Sequence, residues 1–194
     1  GALKIDQNLY LQSLDGLGNL VYIGGLSVTT NQQIKDLDGL ARFKHIPGDV
    51  FVTNNPVLGS LKGLDSLRSV GGELRVGSNG FAMKDLKPLD SLRTVGGNLF
   101  IESNQGLTSL AGLEHLKTVG GNFQVGGLLF DFSGLESLTS IGGNADILQN
   151  DNLSSLHGLD SLHSIGGLLG TLMTGIFATA AISRSWFREI QSAG

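Results

Sequence analysis

The sequence contains no cysteine, three prolines in 194 residues, and only 6% aromatic residues. The lack of cysteine rules out disulfides, thiolate metal sites and a cysteine nucleophile. So little aromatic bulk is unusual for an ordinary globular core, whereas 30 glycines suit a chain that makes the same tight turn many times. Charge of either sign is scarce too: the net value is −4, with no basic excess to grip a nucleic-acid backbone. The opening residues, GALKIDQN, include neither a methionine nor the charged and apolar regions of a signal peptide.

What the sequence does have is a repeat. Val/Ile-Gly-Gly recurs at Ile23, Val70, Val95, Val119, Ile141 and Ile165, with Ile46-Pro47-Gly48 as a variant. The spacing is nearly constant at about 24 residues, a period typical of stacked solenoid units. Ahead of each marker lie apolar residues three apart, such as Leu61, Leu64 and Leu67, or Leu110, Leu113 and Leu116. Behind it runs a short alternation, as in Leu74-Arg75-Val76 or Phe123-Gln124-Val125. Alternation with period two predicts a strand with one buried face, and one strand per coil stacks into a parallel sheet. Stacking is obligatory, because no coil can cover its own leucines. An asparagine follows most strands, at Asn8, Asn31, Asn54 or Asn55, Asn79, Asn104 and Asn150. A ladder of side-chain hydrogen bonds is the expected role of this column. In this register Gly1, Leu3, Ile5 and Asn8 align with Gly72, Leu74, Val76 and Asn79, so the chain is expected to begin inside a coil.

The units 107–125 and 61–79, LTSLAGLEHLKTVGGNFQV and LKGLDSLRSVGGELRVGSN, resemble the coils of receptor L domains, the leucine-rich solenoid domains of insulin-receptor-type ectodomains and of fungal, bacterial and protist surface proteins. The resemblance extends over nearly all of residues 1–167. It implies a right-handed β-helix-like solenoid with a binding or structural role and no enzymatic activity. Animal L domains usually carry disulfides, and here this chain departs from them.

The charged columns are the first place where chemistry could reside. Asp65, Asp90, Glu114, Glu136 and Asp160 share one place in the repeat, with Arg68, Arg93 and Lys117 three positions after the first three. This spacing predicts a ladder of solvated ion pairs, each worth about 0–1 kcal/mol. Acids at one repeating edge do not converge as a catalytic pair does. The histidines, His45, His115, His157 and His163, show no HExxH or HxxxH spacing. His157 and His163 with Asp160 form the one conceivable metal set, and surface histidine is the preferred reading. The glycine pairs open no long helix and precede no Lys-Ser/Thr, so a phosphate loop is excluded. The chain is read as having no catalytic residue, no metal and no cofactor.

Binding is the better prospect. Alternation places Lys4, Ser27, Phe51, Arg75, Phe100, Gln124 and Asp146 in one outward column. In it Phe51, Arg75, Phe100 and Gln124 are the expected protein-binding residues, aromatic and arginine side chains being common interface anchors. The fifth coil is slightly short and replaces the asparagine turn with Gly126-Gly127-Leu128-Leu129-Phe130. Leu128, Leu129 and Phe130 form a second candidate docking point.

From Ser164 to Ser183 the chain carries no charge, and Arg184, Trp186 and Arg188 follow. As a helix this stretch of about 20 residues matches the ~30 Å hydrocarbon core of a bilayer, with the tail on the cytoplasmic or stromal side. Its small face, Gly170, Thr171, Thr174, Gly175 and Ala178, is suited to packing against another membrane helix. A soluble capping helix is the rival reading. The sequence-based expectation is therefore an all-β, right-handed parallel β-solenoid of about seven coils over 1–167, a single C-terminal α-helix at 168–183, and a short basic tail at 184–194. In function it is read as a non-enzymatic, single-pass membrane scaffold or accessory subunit with its solenoid on the luminal or extracellular side. Its partners would be proteins and the lipid bilayer, not nucleic acid. A cell-surface recognition ectodomain is the alternative.

Overall fold

Parallel strands organise the chain in the computed structural model, which describes residues 1–172. In chain order they are β1 (Ala2–Asp6), β2 (Gly25–Thr29), β3 (His45–Ile46), β4 (Val50–Thr53), β5 (Ser69–Val70), β6 (Leu74–Gly77) and β7 (Thr94–Val95). They continue as β8 (Leu99–Glu102), β9 (Thr118–Val119), β10 (Phe123–Val125), β11 (Ser140–Ile141), β12 (Ala145–Leu148), β13 (Ser164–Ile165) and β14 (Leu169–Leu172). The longer strands make one eight-stranded sheet in the order β1-β2-β4-β6-β8-β10-β12-β14, and the two-residue strands make a six-stranded sheet in the order β13-β11-β9-β7-β5-β3. The result is a parallel β-solenoid of about seven coils.

Each coil runs from a long strand through the asparagine turn, along the leucine-bearing segment and through a two-residue strand to the glycine pair. The pairing is in register with the repeat: Leu74 lies beside Leu99 and Val76 beside Ile101. Inward positions stack in files, so Leu61, Leu64, Leu67, Leu74 and Val76 are all fully buried. Burying one such side chain contributes roughly 1.5–3 kcal/mol. Helix is confined among the described residues to two short 3₁₀ turns, Asp15–Leu17 and Lys87–Leu89.

The two kinds of glycine have different causes. In the Gly-Gly pairs a Cβ on Gly96 would collide with the carbonyl of Gly71, and one on Gly120 with that of Gly96, so close approach of stacked coils excludes any side chain. Gly63, in contrast, has φ of 105°, in the region L side chains avoid, and its Cβ would overlap the Leu37 carbonyl as well.

This second glycine turn corrects the expected ion-pair ladder. The acids do not reach the basic residues three positions later. Asp65 Oδ2 accepts the N–H of Gly63 at 2.7 Å, Glu114 Oε2 that of Gly112 at 2.8 Å, and Asp160 Oδ2 that of Gly158 at 3.1 Å. Glu136 does the same for Gly134. The physical reason is local: at the glycine turn the backbone N–H points at the carboxylate two residues on. Asp90 follows Pro88 instead of such a glycine, and faces His115 Nδ1 at 3.0 Å.

A second correction lies at the far end. Leu169–Leu172 is paired with Ala145–Leu148 as a strand, so the helix expected from residue 168 does not start there and the solenoid runs past Gly167. Gly170 and Thr171, read above as helix-packing residues, are in β14. Thr174, Gly175 and Ala178 lie outside the described residues. Leu169 is an inward position in register with Ala145, which explains how an apolar stretch can join the sheet. Among the described residues no helix is long and apolar enough to cross a membrane.

Two substitutions test this architecture. Leu113→Asp places a charge without a partner in a fully buried file and should abolish cooperative unfolding in a urea titration monitored by circular dichroism. Gly63→Ala should cost on the order of 2–3 kcal/mol, since it combines a disfavoured φ with a backbone collision. A parent-like transition in either variant would refute the register.

Candidate protein-binding surfaces

The outward column forms as expected, because β4, β6, β8 and β10 are in register and Phe51, Arg75, Phe100 and Gln124 become neighbours in turn. They are half-buried, not freely exposed. The Arg75 guanidinium carbon lies 4.5 Å from the centre of the Phe100 ring. Arg75 Nε donates to Glu73 Oε1 at 2.9 Å and Nη1 to Glu102 Oε1 at 2.8 Å. Glu102 Oε2 accepts from Gln124 Nε2 at 2.8 Å, and Glu73 Oε2 from Asn98 Nδ2 at 2.9 Å.

This arrangement fixes the chemistry of the face. One arginine is shared by two carboxylates, so the cluster has no spare positive charge for an anion. Stacking and anchoring at both ends of the guanidinium hold the side chains in place before any partner arrives, which lowers the ordering cost of binding. Phe51 sits at one end of the row and forms a wall of a depression of about 480 Å³ over the small residues Ala2, Gly25 and Ser27.

The asparagine column is a ladder, and Asn55 rather than Asn54 is its second full rung. Asn8 N–H donates to Asn31 Oδ1 at 3.2 Å, Asn31 N–H to Asn55 Oδ1 at 3.0 Å, Asn55 N–H to Asn79 Oδ1 at 3.2 Å, and Asn79 N–H to Asn104 Oδ1 at 3.2 Å. From Asn31 onward each Nδ2 reaches back to a strand carbonyl of the preceding coil, as Asn79 does to Val52 at 2.8 Å. The residue before each rung is left-handed: Gln7, Thr30, Asn54, Ser78, Ser103 and Gln149 have φ of 54° to 59°. That conformation costs about 1–2 kcal/mol per non-glycine residue. The buried rungs offset it.

In the fifth coil the ladder is broken. The left-handed residue and its asparagine are both missing, and Gly126-Gly127 closes the turn. Leu128 and Phe130 are exposed. Leu129 is not: it is 1% exposed and packed in the core at the position that Leu107 and Leu153 hold in the flanking coils, so it offers no surface. A notch of about 390 Å³ remains, lined by Ser103, Asn104, Gln105, Gly126, Gly127 and Gln149, with Leu128 and the exposed Phe81 at its rim.

Phe81 belongs to a variable column, and no sequence pattern marks it. A second set escapes the sequence reading as well. Asp49, Asn98, Asn122 and Asn144 follow the glycine pairs, and their side-chain oxygens accept from the N–H of Glu73, Asn122, Asn144 and Leu168 at 2.8–2.9 Å. Its signal is present, since these residues recur at about the coil length just after the markers. At the first coil Leu9, Tyr10, Val21 and Tyr22 are exposed.

Among the described residues the histidines lie apart from one another. His157 Nδ1 is 3.4 Å from Asp160 Oδ2, while His163 Nδ1 contacts the Ser161 carbonyl. Among the described residues no group of three or more His, Asp or Glu is placed to hold a metal ion. Lys62 and Asp38 meet one coil apart, and the hydrogen bond and charge of Lys62 hold the Asp38 carboxyl below its usual range. Both side chains lie at the surface.

These features define a parallel β-solenoid with a buried asparagine ladder, an ordered Glu73–Arg75–Glu102 cluster on its long sheet and an apolar rim at the fifth coil. No protein-family model matches the chain, and no curated protein matches it in sequence.

The ladder is open to a direct test. Asn79→Leu keeps the volume but strands the Asn55 N–H and removes the side-chain donor from the Val52 carbonyl, and should cost about 1–3 kcal/mol in chemical denaturation. A loss below about 1 kcal/mol would show that the ladder contributes little to stability.

Proposed function

We propose that this chain is a non-enzymatic protein-binding scaffold, built on coils of the receptor L-domain kind and acting as an accessory subunit of a larger assembly. The observation that carries the reading is the Glu73–Arg75–Glu102 cluster stacked on Phe100 and flanked by Phe51. It presents a rigid row of aromatic and guanidinium surface at the middle of the long sheet, with its charges already paired. Such a row suits a flat protein surface better than a small polar substrate, which needs convergent groups in an enclosed pocket. The L-domain kinship is supported by the repeated L-x-x-L-x-x-V-G-G unit and its agreement with the strand register.

Attachment to a membrane through the C-terminal segment is the second part of the proposal, and the uncharged stretch with Trp186 and the arginines around it supports that part. With Leu169–Leu172 in the sheet, residues 173–183 are what remains of that stretch. As a helix they would measure about 16 Å, roughly half a bilayer core. Attachment therefore calls for a partner in the membrane or for insertion into one leaflet.

Alanine at Phe51, Arg75 or Phe100 should weaken capture of the native partner at least tenfold while the folded circular-dichroism spectrum is retained. Full affinity in all three variants would move the contact surface away from the strand face. For the membrane part, the full-length chain should stay with the pellet on alkaline carbonate extraction, and a chain ending at Leu172 should be released. Release of the full-length chain would remove membrane attachment from the reading.

A further inference from the structure

The break in the asparagine ladder leaves its hydrogen-bonding groups on both sides. In an intact coil an asparagine accepts the N–H of the rung before it and donates its own N–H to the Oδ1 of the rung after it. At the fifth coil that asparagine is missing. The N–H of Asn104 therefore has no rung to donate to, and Asn150 Oδ1 is buried without a hydrogen-bond partner. Asn150 is 6% exposed and is held rigidly, its Nδ2 donating to the carbonyls of Val125 at 3.2 Å and Leu148 at 3.0 Å. An orphaned acceptor of this kind is costly, because it has given up its water without gaining a donor.

The group that fits between a donor and an acceptor two coils apart is the one the other coils use, a primary carboxamide. Its C=O can take the Asn104 N–H and its NH₂ can satisfy Asn150 Oδ1. A carboxylate has no donor for Asn150, and an apolar group satisfies neither side. Beside the gap, Phe81 and Leu128 expose apolar surface at the rim of the notch. We propose that this gap is a binding notch for an asparagine or glutamine side chain of a protein partner, which completes the missing rung while an adjoining apolar residue packs on Phe81 and Leu128. The inference rests on the reading of the solenoid as a protein-binding scaffold and names a second contact for it. Asn150 Oδ1 is shielded from solvent in the free protein, so seating the amide requires Gly127 to shift outward, Gly126 being held by its N–H bond to the Ile101 carbonyl at 2.9 Å. Beside Gly127 the space is open, a Cβ there meeting only the Leu107 carbonyl at 3.6 Å.

The test uses the full chain labelled with ¹⁵N and two dipeptides capped so that neither terminus is a primary carboxamide, N-acetyl-Asn-Leu-N-methylamide and its isostere N-acetyl-Leu-Leu-N-methylamide. The asparagine probe should give saturable shifts at the Asn104 and Gly127 backbone N–H and at the Asn150 side-chain NH₂, at least tenfold tighter than the leucine probe. Inserting Ser-Asn between Gly126 and Gly127 rebuilds the rung; it should raise the melting temperature and abolish those shifts. Phe81→Ala, an exposed change that leaves folding intact, should weaken the asparagine probe several-fold. Equal affinity for the two probes, absence of shifts at the notch, or undiminished binding by the insertion variant would each overturn the proposal. The strand-face variants separate this result from the scaffold reading: loss of partner capture by Arg75→Ala with a silent notch sinks only the notch.

Discussion

Parallel backbone hydrogen bonding fixes the distance between coils at about 4.8 Å, and every other feature of this protein has to repeat at that spacing. Leucines can stack in files at this distance. Asparagine amides can bond one to the next. A Cβ at the glycine pair cannot be accommodated, since the carbonyl of the neighbouring coil already occupies its place. The columns of the sequence are thus the columns of the structure, and the buried ones hold residue types that tolerate having themselves as neighbours.

The fold was legible for that reason. A marker recurring once per coil sets the register, and period-two alternation behind it sets which side chains face in. Two expectations failed where a local rule was applied to a non-local structure. Spacing of three suggested helical ion pairs for Asp65 and Glu114, yet these acids serve the glycine N–H two residues earlier because the segment is a turn and not a helix. Lack of charge suggested a helix from residue 168, yet Leu169 continues an inward file of the sheet. Hydrophobicity alone does not distinguish a lipid-facing residue from one facing a solenoid core.

The candidate surfaces were legible in part. Alternation placed Phe51, Arg75, Phe100 and Gln124 side by side, but the carboxylates that hold Arg75 come from the columns on either side of that row. Glu73 lies two residues before Arg75 and Glu102 two after Phe100, so both point outward beside it. Sequence marked the fifth coil as irregular, while only geometry shows that its consequence is a notch, a buried core leucine at 129 and an unanswered amide oxygen. The protein gives up one rung of a stabilising ladder at a place where its surface also exposes apolar side chains.

That missing rung also bears on how neighbouring coils are coupled. Each coil touches only the coils before and after it, so cooperativity passes along the stack link by link, as in a one-dimensional chain of coupled spins. The link between Asn104 and Asn150 lacks the side-chain hydrogen bonds that join Asn8 through Asn104, although the backbone pairing of β8, β10 and β12 is continuous there. The second ladder, from Asn98 through Asn122 to Asn144, is also unbroken there, so the coils stay coupled at the glycine corner while the opposite corner, at the asparagine turn, loses its side-chain link.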